Sequence, residues 1–274
     1  MFRRPGKEAS PYERYLRGQK RRLLMIWLSR FALLAAFLLL WELAARRQWV
    51  DPMLTSQPSQ LLRSFRELAF GGGSLFMHFR ITAWETVISM AVSMVLGLVI
   101  AVLLWLSPFA SKALDPYMVV LNALPKVALG PIFYIWLGDR YSIYGMAIAI
   151  SLVVTIIMIE SGFREISRTK LKLMESLGAT KMQMLRMVLL PASIPNVIAT
   201  LKVNAGLTLV GVIMGEFLSS KAGLGYLIIY GGQVFQMHMV MVSIAMLALL
   251  SIVLYGIVNG IGYYAAKFYH VERS

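Results

Sequence analysis

The chain has no cysteine and little charge, and both scarcities exclude whole classes of protein. Without cysteine there is no disulfide, no thiolate nucleophile and no cysteine-ligated metal. The three histidines, His78, His238 and His270, stand far apart and lack a paired metal-binding spacing such as H-E-x-x-H. The sequence therefore predicts neither a metal site nor a cofactor.

The few charged residues are unevenly distributed, which leaves long uncharged apolar runs. Charged residues make up 15% of the 274 positions and apolar residues 58%, whereas a soluble domain is about a quarter charged. Between Glu85 and Lys112 lie 26 uncharged residues, and between His238 and Lys267 lie 28. Each run exceeds the roughly 20 residues that a helix needs to cross a bilayer. An all-α integral membrane protein is predicted.

The apolar segments predict six transmembrane helices. Their approximate bounds are 23–45, 81–106, 117–137, 141–161, 195–217 and 239–266. They form one transmembrane domain over 23–266, between a basic tail at 1–22 and a short tail at 267–274. The third span is broken by Pro125 and Pro131, and a tight turn at Gly138 follows it. An amphipathic helix over 58–70 is predicted to lie in the interface plane and to end at three glycines.

The distribution of Lys and Arg predicts the topology. With six spans and both termini in the cytoplasm, 17 basic residues fall in cytoplasmic segments and 7 in outside segments. This bias agrees with the positive-inside rule. It also explains the formal net charge of +14 without a nucleic-acid partner.

The segment 162–191, between spans four and five, is the longest polar stretch inside the core of the chain. Its first part is helix-capable, Gly178 breaks the helix, and Thr180 can cap a second helix that ends near Pro191. Such a short helix–turn–helix under the bilayer can be gripped and pushed by a partner. A loop resting on lipid headgroups fits the same pattern equally well.

This segment resembles the cytoplasmic signature of bacterial ABC importer permeases: Glu-Ala-Ala, three residues, Gly, nine residues, Ile-x-Leu-Pro. Gly178 takes the place of the glycine, and Val188, Leu190 and Pro191 fall at the spacing of Ile, Leu and Pro. Lys172 stands where the family has its glutamate, and Glu175 follows one helical turn later. The resemblance implies that this segment is a coupling loop that docks an ATPase.

Three further places resemble the nitrate/sulfonate/taurine-type branch of that family. They are 121–131 followed by Trp136-Leu137-Gly138, Gly215-Glu216-Phe217 with 223–228 after span five, and the segment Thr55–Leu62. The resemblance implies the type I importer fold in a bacterial inner membrane. It implies two permease subunits, two ATPase subunits and an extracytoplasmic binding protein, with a small anionic or polar solute as cargo.

Several features bear on the division of labour among subunits. The chain has no G-x-x-x-x-G-K-[ST] run, so ATP hydrolysis would belong to another chain and this one is not predicted to be an enzyme. A chain with one coupling loop serves one ATPase, which predicts a homodimer. A secondary transporter or channel is the alternative function, and a membrane scaffold is a third. The halves of the chain do not align in their polar positions, which argues mildly against inverted repeats.

The candidate site residues fall into two groups. Those predicted to couple to the ATPase are Lys172, Met174, Glu175, Leu177, Gly178, Ala179 and Thr180. Those predicted for the solute pathway are Asn122, Pro125, Lys126, Asn204 and Glu216, with Gly206, Gly211 and Gly215 allowing close helix approach along span five.

Two charged residues in or near the spans need separate interpretation. Lys126 is either a cationic point in the pathway or a side chain that bonds backbone carbonyls freed at Pro125. Glu85 is placed near a span end, where a carboxylate stays solvated at little cost.

Overall fold

The structure is a computed structural model that describes residues 11–50, 56–72 and 74–268, except for the side chains of 11–18, 266 and 268. Every regular element in these ranges is helical, which confirms the predicted all-α class. Much of the predicted basic tail and nearly all of the C-terminal tail lie outside the described residues. The chain divides after Arg63 into two compact units.

The first unit is built on a long apolar helix. Helix α1 (Pro11–Arg46) has 36 residues, and its segment Gln19–Arg46 is long and apolar enough to cross a membrane. Helix α2 (Pro58–Arg66) begins where the amphipathic segment was predicted to begin. A π-helical turn, Glu67–Gly71, continues it, so the helix ends at the predicted glycines.

A carboxylate near the end of α1 caps the start of α2. Glu42 accepts hydrogen bonds from the backbone nitrogen of Ser59 through Oε2 at 3.1 Å and from the Ser59 hydroxyl through Oε1 at 3.0 Å. The Nε atom of Arg46 donates to the same Oε1 at 2.8 Å. The first backbone N–H groups of a helix lack partners within the helix, so Glu42 stabilises α2 and fixes its start beside α1.

The second unit contains eight α-helices in its described part. They are α3 (Ser74–Leu106), α4 (Pro108–Ala123), α5 (Gly130–Glu165), α6 (Arg168–Ser176), α7 (Lys181–Met184), α8 (Leu190–Ser219), α9 (Leu224–Gln233) and α10 (Met237–Phe268). A 3-10 turn, Lys126–Leu129, precedes α5, and a π-helical turn, Leu185–Leu189, joins α7 to α8.

Among the residues that the structure describes, five helical segments are long and apolar enough to span a membrane. They are Gln19–Arg46, Ser74–Leu106, Lys126–Glu165, Lys181–Ser219 and Met237–Ala265. The predicted third span is not one helix, because α4 ends at Ala123 and the next helical turn begins only at Lys126. Pro125 causes this break, since it has no N–H and clashes with the preceding turn. The total of six spans stays a prediction.

A turn at Gly138 folds the start of α5 back on the rest of that helix. Gly138 has φ +72° and ψ −179°, which is not helical. A Cβ at Gly145 would lie 2.6 Å from Leu137 Cδ1 and 3.0 Å from Phe133 Cδ1, so the segments on either side of Gly138 pack together. The structure thus places a hairpin at the turn that the sequence predicted.

Helices α5 and α8 pack backbone to backbone in the core. A Cβ on Gly211 would lie 2.5 Å from Ala147 Cα, and one on Gly215 would lie 2.7 Å from Ile143 Cα. These two glycines therefore allow the close helix approach that was predicted along span five, and here they do so between helices of one chain. Gly206 alone of the three has open space at its Cβ position.

Candidate functional site

The predicted coupling loop contains a helix that is anchored in the bundle. Leu185 and Leu189 are 5% and 0% exposed and pack in one cluster with Ala101, Ile159 and Phe163. Burial of two leucines stabilises this attachment by several kcal/mol, at about 1.5–3 kcal/mol for each side chain. The helix that precedes Pro191 is therefore held firmly against α3 and α5.

Helix α6 ends in a Schellman motif at Gly178. The Gly178 backbone N–H donates to the Glu175 carbonyl at 2.9 Å, and the Ala179 N–H donates to the Met174 carbonyl at 3.0 Å. Gly178 has φ +78°, a conformation that costs an L-residue about 1–2 kcal/mol. The predicted helix break is thus a defined reversal of the chain, with the last carbonyls of α6 satisfied.

Thr180 starts the second helix through a capping box. Its hydroxyl accepts from the Gln183 backbone N–H at 3.3 Å, and the Gln183 Oε1 atom accepts from the Thr180 N–H at 2.7 Å. These reciprocal bonds satisfy two N–H groups that a helix start otherwise leaves free. The two caps, at Gly178 and Thr180 with one residue between them, make the turn between α6 and α7 rigid.

The rigid turn presents a mixed apolar and charged surface. Leu173 and Leu177 are 61% and 74% exposed, and Lys172 and Glu175 are exposed beside them. Residues four apart on a helix lie on one face, so the two leucines form one apolar stripe. Leu173 was not among the predicted coupling residues, although its spacing from Leu177 is the signal that would have identified it.

The structure joins two of the pathway candidates at the break before α5. The Lys126 Nζ atom donates to the Asn122 backbone carbonyl at 3.1 Å; Asn122 is exposed and Lys126 is partly buried. Helix α4 stops at Ala123, which leaves carbonyls of its last turn without helical partners. Of the two interpretations of Lys126, this geometry matches the one in which it bonds a freed carbonyl.

Asn204 lies in a saturated polar cluster inside the chain. It is 1% exposed; its Nδ2 atom donates to Ser93 Oγ at 3.0 Å and to Thr155 Oγ1 at 2.6 Å. Its Oδ1 atom accepts from the Thr208 hydroxyl at 2.9 Å. This cluster ties α3, α5 and α8 together, so the described contacts of Asn204 are structural.

Glu216 organises the glycine-rich segment that follows α8. It is 1% exposed and accepts from the Thr82 hydroxyl at 2.6 Å and from the Gly225 backbone N–H at 2.5 Å. Thr82 in turn accepts from the Leu224 N–H at 2.8 Å. Gly223 has φ +112°, and a Cβ there would overlap the Glu216 carboxylate.

His78 completes this arrangement. Its Nδ1 atom accepts from the Gly223 N–H at 2.8 Å, and its ring stacks on Tyr226 with centroids 5.9 Å apart. Three consecutive backbone N–H groups, at residues 223, 224 and 225, are therefore satisfied by side chains of α3 and α8. The candidates Asn204 and Glu216 belong to separate clusters, and neither joins the Lys126 region.

More than half of the chain shares the sequence pattern of one known protein family. The family described as "Binding-protein-dependent transport system inner membrane component" matches residues 93–269, which is more than half of the chain. The chain belongs to this family. The matched range includes the predicted coupling loop, Asn204, Glu216 and 223–225, whereas His78 and Thr82 precede it.

Curated relatives point to the same class of protein. The formylaminopyrimidine transport permease protein ThiX of Halalkalibacterium halodurans is 29% identical over 69% of this chain and 75% of that protein. The taurine transport system permease protein TauC of Escherichia coli is 24% identical over 81% of this chain and 82% of that protein. The putative aliphatic sulfonates transport permease protein SsuC of Bacillus subtilis is 25% identical, over 81% and 80%.

The fold also matches a solved transporter. A chain from inward-facing conformations of the MetNI methionine ABC transporter has a TM-score of 0.60 and 18% identity, and the match covers 69% of this chain and 97% of that one. This likeness shows the fold. The permease is an inner-membrane, multi-pass component of an ABC importer, and its relatives are transport components and not enzymes.

The permease contains a polar cleft beside the Glu216 cluster. Its volume is about 530 Å³, and it is lined by Arg80, Ile81, Trp84, Glu85, Arg140 and Tyr144. Among the described residues neither arginine takes part in an ion pair, which leaves two cationic groups available to a solute. No group of three potential metal ligands occurs in the described part of the permease.

The expectation that Glu85 is solvated was wrong. Glu85 is 9% exposed and lies against the Glu216 carboxyl group, and its Oε2 atom has no conventional hydrogen-bond partner. Helix α3 begins at Ser74, seven residues before the predicted start of the span, so Glu85 lies three turns inside the helix. Its burial depends on contact with α8, which no local pattern reveals.

Proposed function

We propose that this permease forms the solute pathway of an ATP-driven importer and receives its ATPase at the turn between α6 and α7. The observation that carries the proposal is the combination of a buried anchor and an exposed, doubly capped turn. A force applied at the turn is transmitted to α8 because Leu185 and Leu189 attach the same segment to the core. A headgroup-resting loop would not need this rigidity.

The exposed surface of the turn suits a protein partner. Leu173 and Leu177 offer apolar area that is lost from water only when another surface covers it, and Lys172 and Glu175 can pair with charges at the rim. Ala179 is small and half-buried, so a partner can approach the backbone there. The docking contact includes the predicted residues Lys172, Met174, Glu175, Leu177, Gly178, Ala179 and Thr180.

The assembly proposed is a homodimer with six spans in each chain and both termini in the cytoplasm. One turn of this kind serves one ATPase subunit, so two copies are needed for a pair of ATPases. The open space beside Gly206 leaves part of α8 free to approach a second copy. A substrate-binding protein on the outer side delivers the solute.

The proposed cargo is a small anionic or polar solute. The cleft with Arg80 and Arg140 lies near the start of α3 and the Gly138 turn of α5. Both places are predicted to face outward, where a solute enters. The names of three relatives give taurine, aliphatic sulfonates and nitrate as their solutes, and each of these solutes has an anionic group. Asn122, Pro125, Lys126, Asn204 and Glu216 remain the proposed pathway positions, with Asn204 and Glu216 holding the helices that form its wall.

The test measures how much ATPase stays with the permease during affinity purification. Leu177→Asp should reduce retention at least tenfold, because a charge replaces an apolar contact worth about 1.4 kcal/mol or more. Phe235→Asp is the matched control, since Phe235 is equally exposed, at 74%, and lies on the side predicted to face outward. Equal retention for both variants would contradict the docking proposal.

A further inference from the structure

An apolar groove of about 490 Å³ follows α8 near the end of the bundle that is predicted to be cytoplasmic. Its wall is built from three helices, with Leu98 from α3, the stretch from Leu190 to Leu201 on α8, and Ile261 and Ala265 from α10. The volume falls within the roughly 300–1,000 Å³ of pockets that hold small molecules. No part of the ATPase-docking turn of α6 lines it.

The length of the groove matches half of a bilayer. Leu190 and Leu201 are 11 positions apart on α8, which is about 16 Å at a rise of 1.5 Å per residue. The hydrocarbon core of a bilayer is about 30 Å thick, so one leaflet is about 15 Å deep. The groove is therefore about as long as one leaflet is deep.

The end of the groove at headgroup level is positively charged. Arg186 lines it, and its side chain is exposed. Lys267 lies in the last turn of α10, two residues after Ala265. No acidic side chain lines the groove, so within the described part of the chain the charge at this end has one sign.

We propose that this groove binds an anionic phospholipid of the cytoplasmic leaflet, with its acyl chain along α8 and its phosphate at Arg186. The membrane supplies such a chain at this depth, and the guanidinium group forms paired hydrogen bonds with phosphate oxygens. The zwitterionic lipid phosphatidylcholine also has a phosphate, but its choline group would bring a positive charge towards Arg186 and Lys267. A second copy of the chain would have to place a carboxylate there.

The test uses the permease purified with its ATPase and reconstituted into vesicles that contain a photoreactive phospholipid. One vesicle set contains phosphatidylglycerol with a diazirine in its acyl chain, and the other contains phosphatidylcholine with the same chain. After irradiation, labelling of the peptide that contains 190–201 is measured. The phosphatidylglycerol probe should label it about fivefold more, the effect of one basic residue on an anionic lipid.

Three variants separate the headgroup contact from the acyl-chain contact. Arg186→Gln should reduce phosphatidylglycerol labelling to the level of phosphatidylcholine, and Arg168→Gln, which changes an exposed arginine outside the groove, should leave it unchanged. Ala265→Phe fills the groove and should reduce labelling by both probes. ATPase retention in each variant shows that the permease is folded.

Two results would overturn the proposal. Equal labelling by the two probes, unaffected by Arg186→Gln, would show that the groove does not select an anionic headgroup. Cross-links from 190–201 to a second permease chain, with no lipid label, would show that the groove is a subunit interface. The proposal is independent of the docking contact at Leu177, since the groove and the turn share no residue.

Discussion

Gly178 and Gly223 adopt positive φ angles at opposite ends of the bundle, and their surroundings differ completely. Gly178 has φ +78°, and a Cβ added there would meet nothing within 4 Å, whereas Gly223 has φ +112° and lies against the Glu216 carboxylate. The first glycine shapes a turn that faces solvent. The second closes a segment onto buried side chains of α3 and α8.

This difference separates the surface proposed to dock a partner from a hydrogen-bonded lock within the chain. The turn at Gly178 satisfies its own backbone groups through local bonds and leaves its side chains exposed. The segment at Gly223 depends on distant residues, since its N–H groups bond to His78, Thr82 and Glu216. Substitutions at the lock should therefore damage stability, and substitutions at the turn should damage docking.

The largest effect is expected for Gly223→Ala. The added Cβ would overlap the Glu216 carboxylate and would strain a backbone that L-residues rarely adopt. Strain of about 1–3 kcal/mol together with a weakened hydrogen bond to a buried carboxyl group should lower the free energy of unfolding by about 3–5 kcal/mol. Thermal unfolding of the detergent-purified permease measures the change.

Gly232→Ala is the control for this comparison. Gly232 lies in α9 with open space at its Cβ position, and alanine favours a helix over glycine by about 1 kcal/mol. The melting temperature should stay the same or rise slightly. Wild-type melting temperatures for both variants would show that the contacts around Glu216 do not stabilise the segment 223–225.

A smaller effect is expected for Gly178→Ala, and on docking more than on folding. The Cβ meets no atom of the permease, so the change acts through the left-handed backbone, at a cost of about 1–2 kcal/mol. ATPase retention should fall about tenfold, and the melting temperature should fall less than in Gly223→Ala because the strain is smaller. Gly178→Asn should restore most of the retention, because asparagine tolerates this conformation; an asparagine variant as weak as the alanine variant would show that the backbone is not the cause.

The smallest effect is expected for Thr180→Ala. The substitution removes the hydroxyl that accepts from the Gln183 N–H, and loss of such a cap costs about 0.5–2 kcal/mol. Hydrogen exchange of the amides at 181–184 should accelerate in the alanine variant. Thr180→Ser keeps the hydroxyl and should exchange like the wild type, so acceleration in both variants would argue against the capping role.

The elements that could be predicted from the sequence are those controlled by local chemistry. Gly178 followed by Thr180 predicts a helix end and a helix start, because both caps form between residues at most five apart. The break at Pro125 and the turn at Gly138 are predicted for the same reason.

Contacts between distant helices could not be predicted in this way. Asn204 bonds to Ser93 and Thr155, which lie 111 and 49 residues away, and Glu85 lies against Glu216. A polar residue in a span has the same local pattern whether it faces a pathway or a polar partner inside the chain. The pairing of α3, α5 and α8 decides between these outcomes, and it is a property of the folded bundle.

Site-specific photo-cross-linking tests the central claim most directly, because the chain has no cysteine and an introduced one is unique in the permease. A benzophenone maleimide is attached at Leu177→Cys or, as the control, at Phe235→Cys in the permease, and the labelled chain is combined with its ATPase and irradiated in membranes. The account predicts a permease–ATPase cross-link from position 177 and none from position 235. A probe at 177 that labels only lipid, with the ATPase present and active, would contradict it.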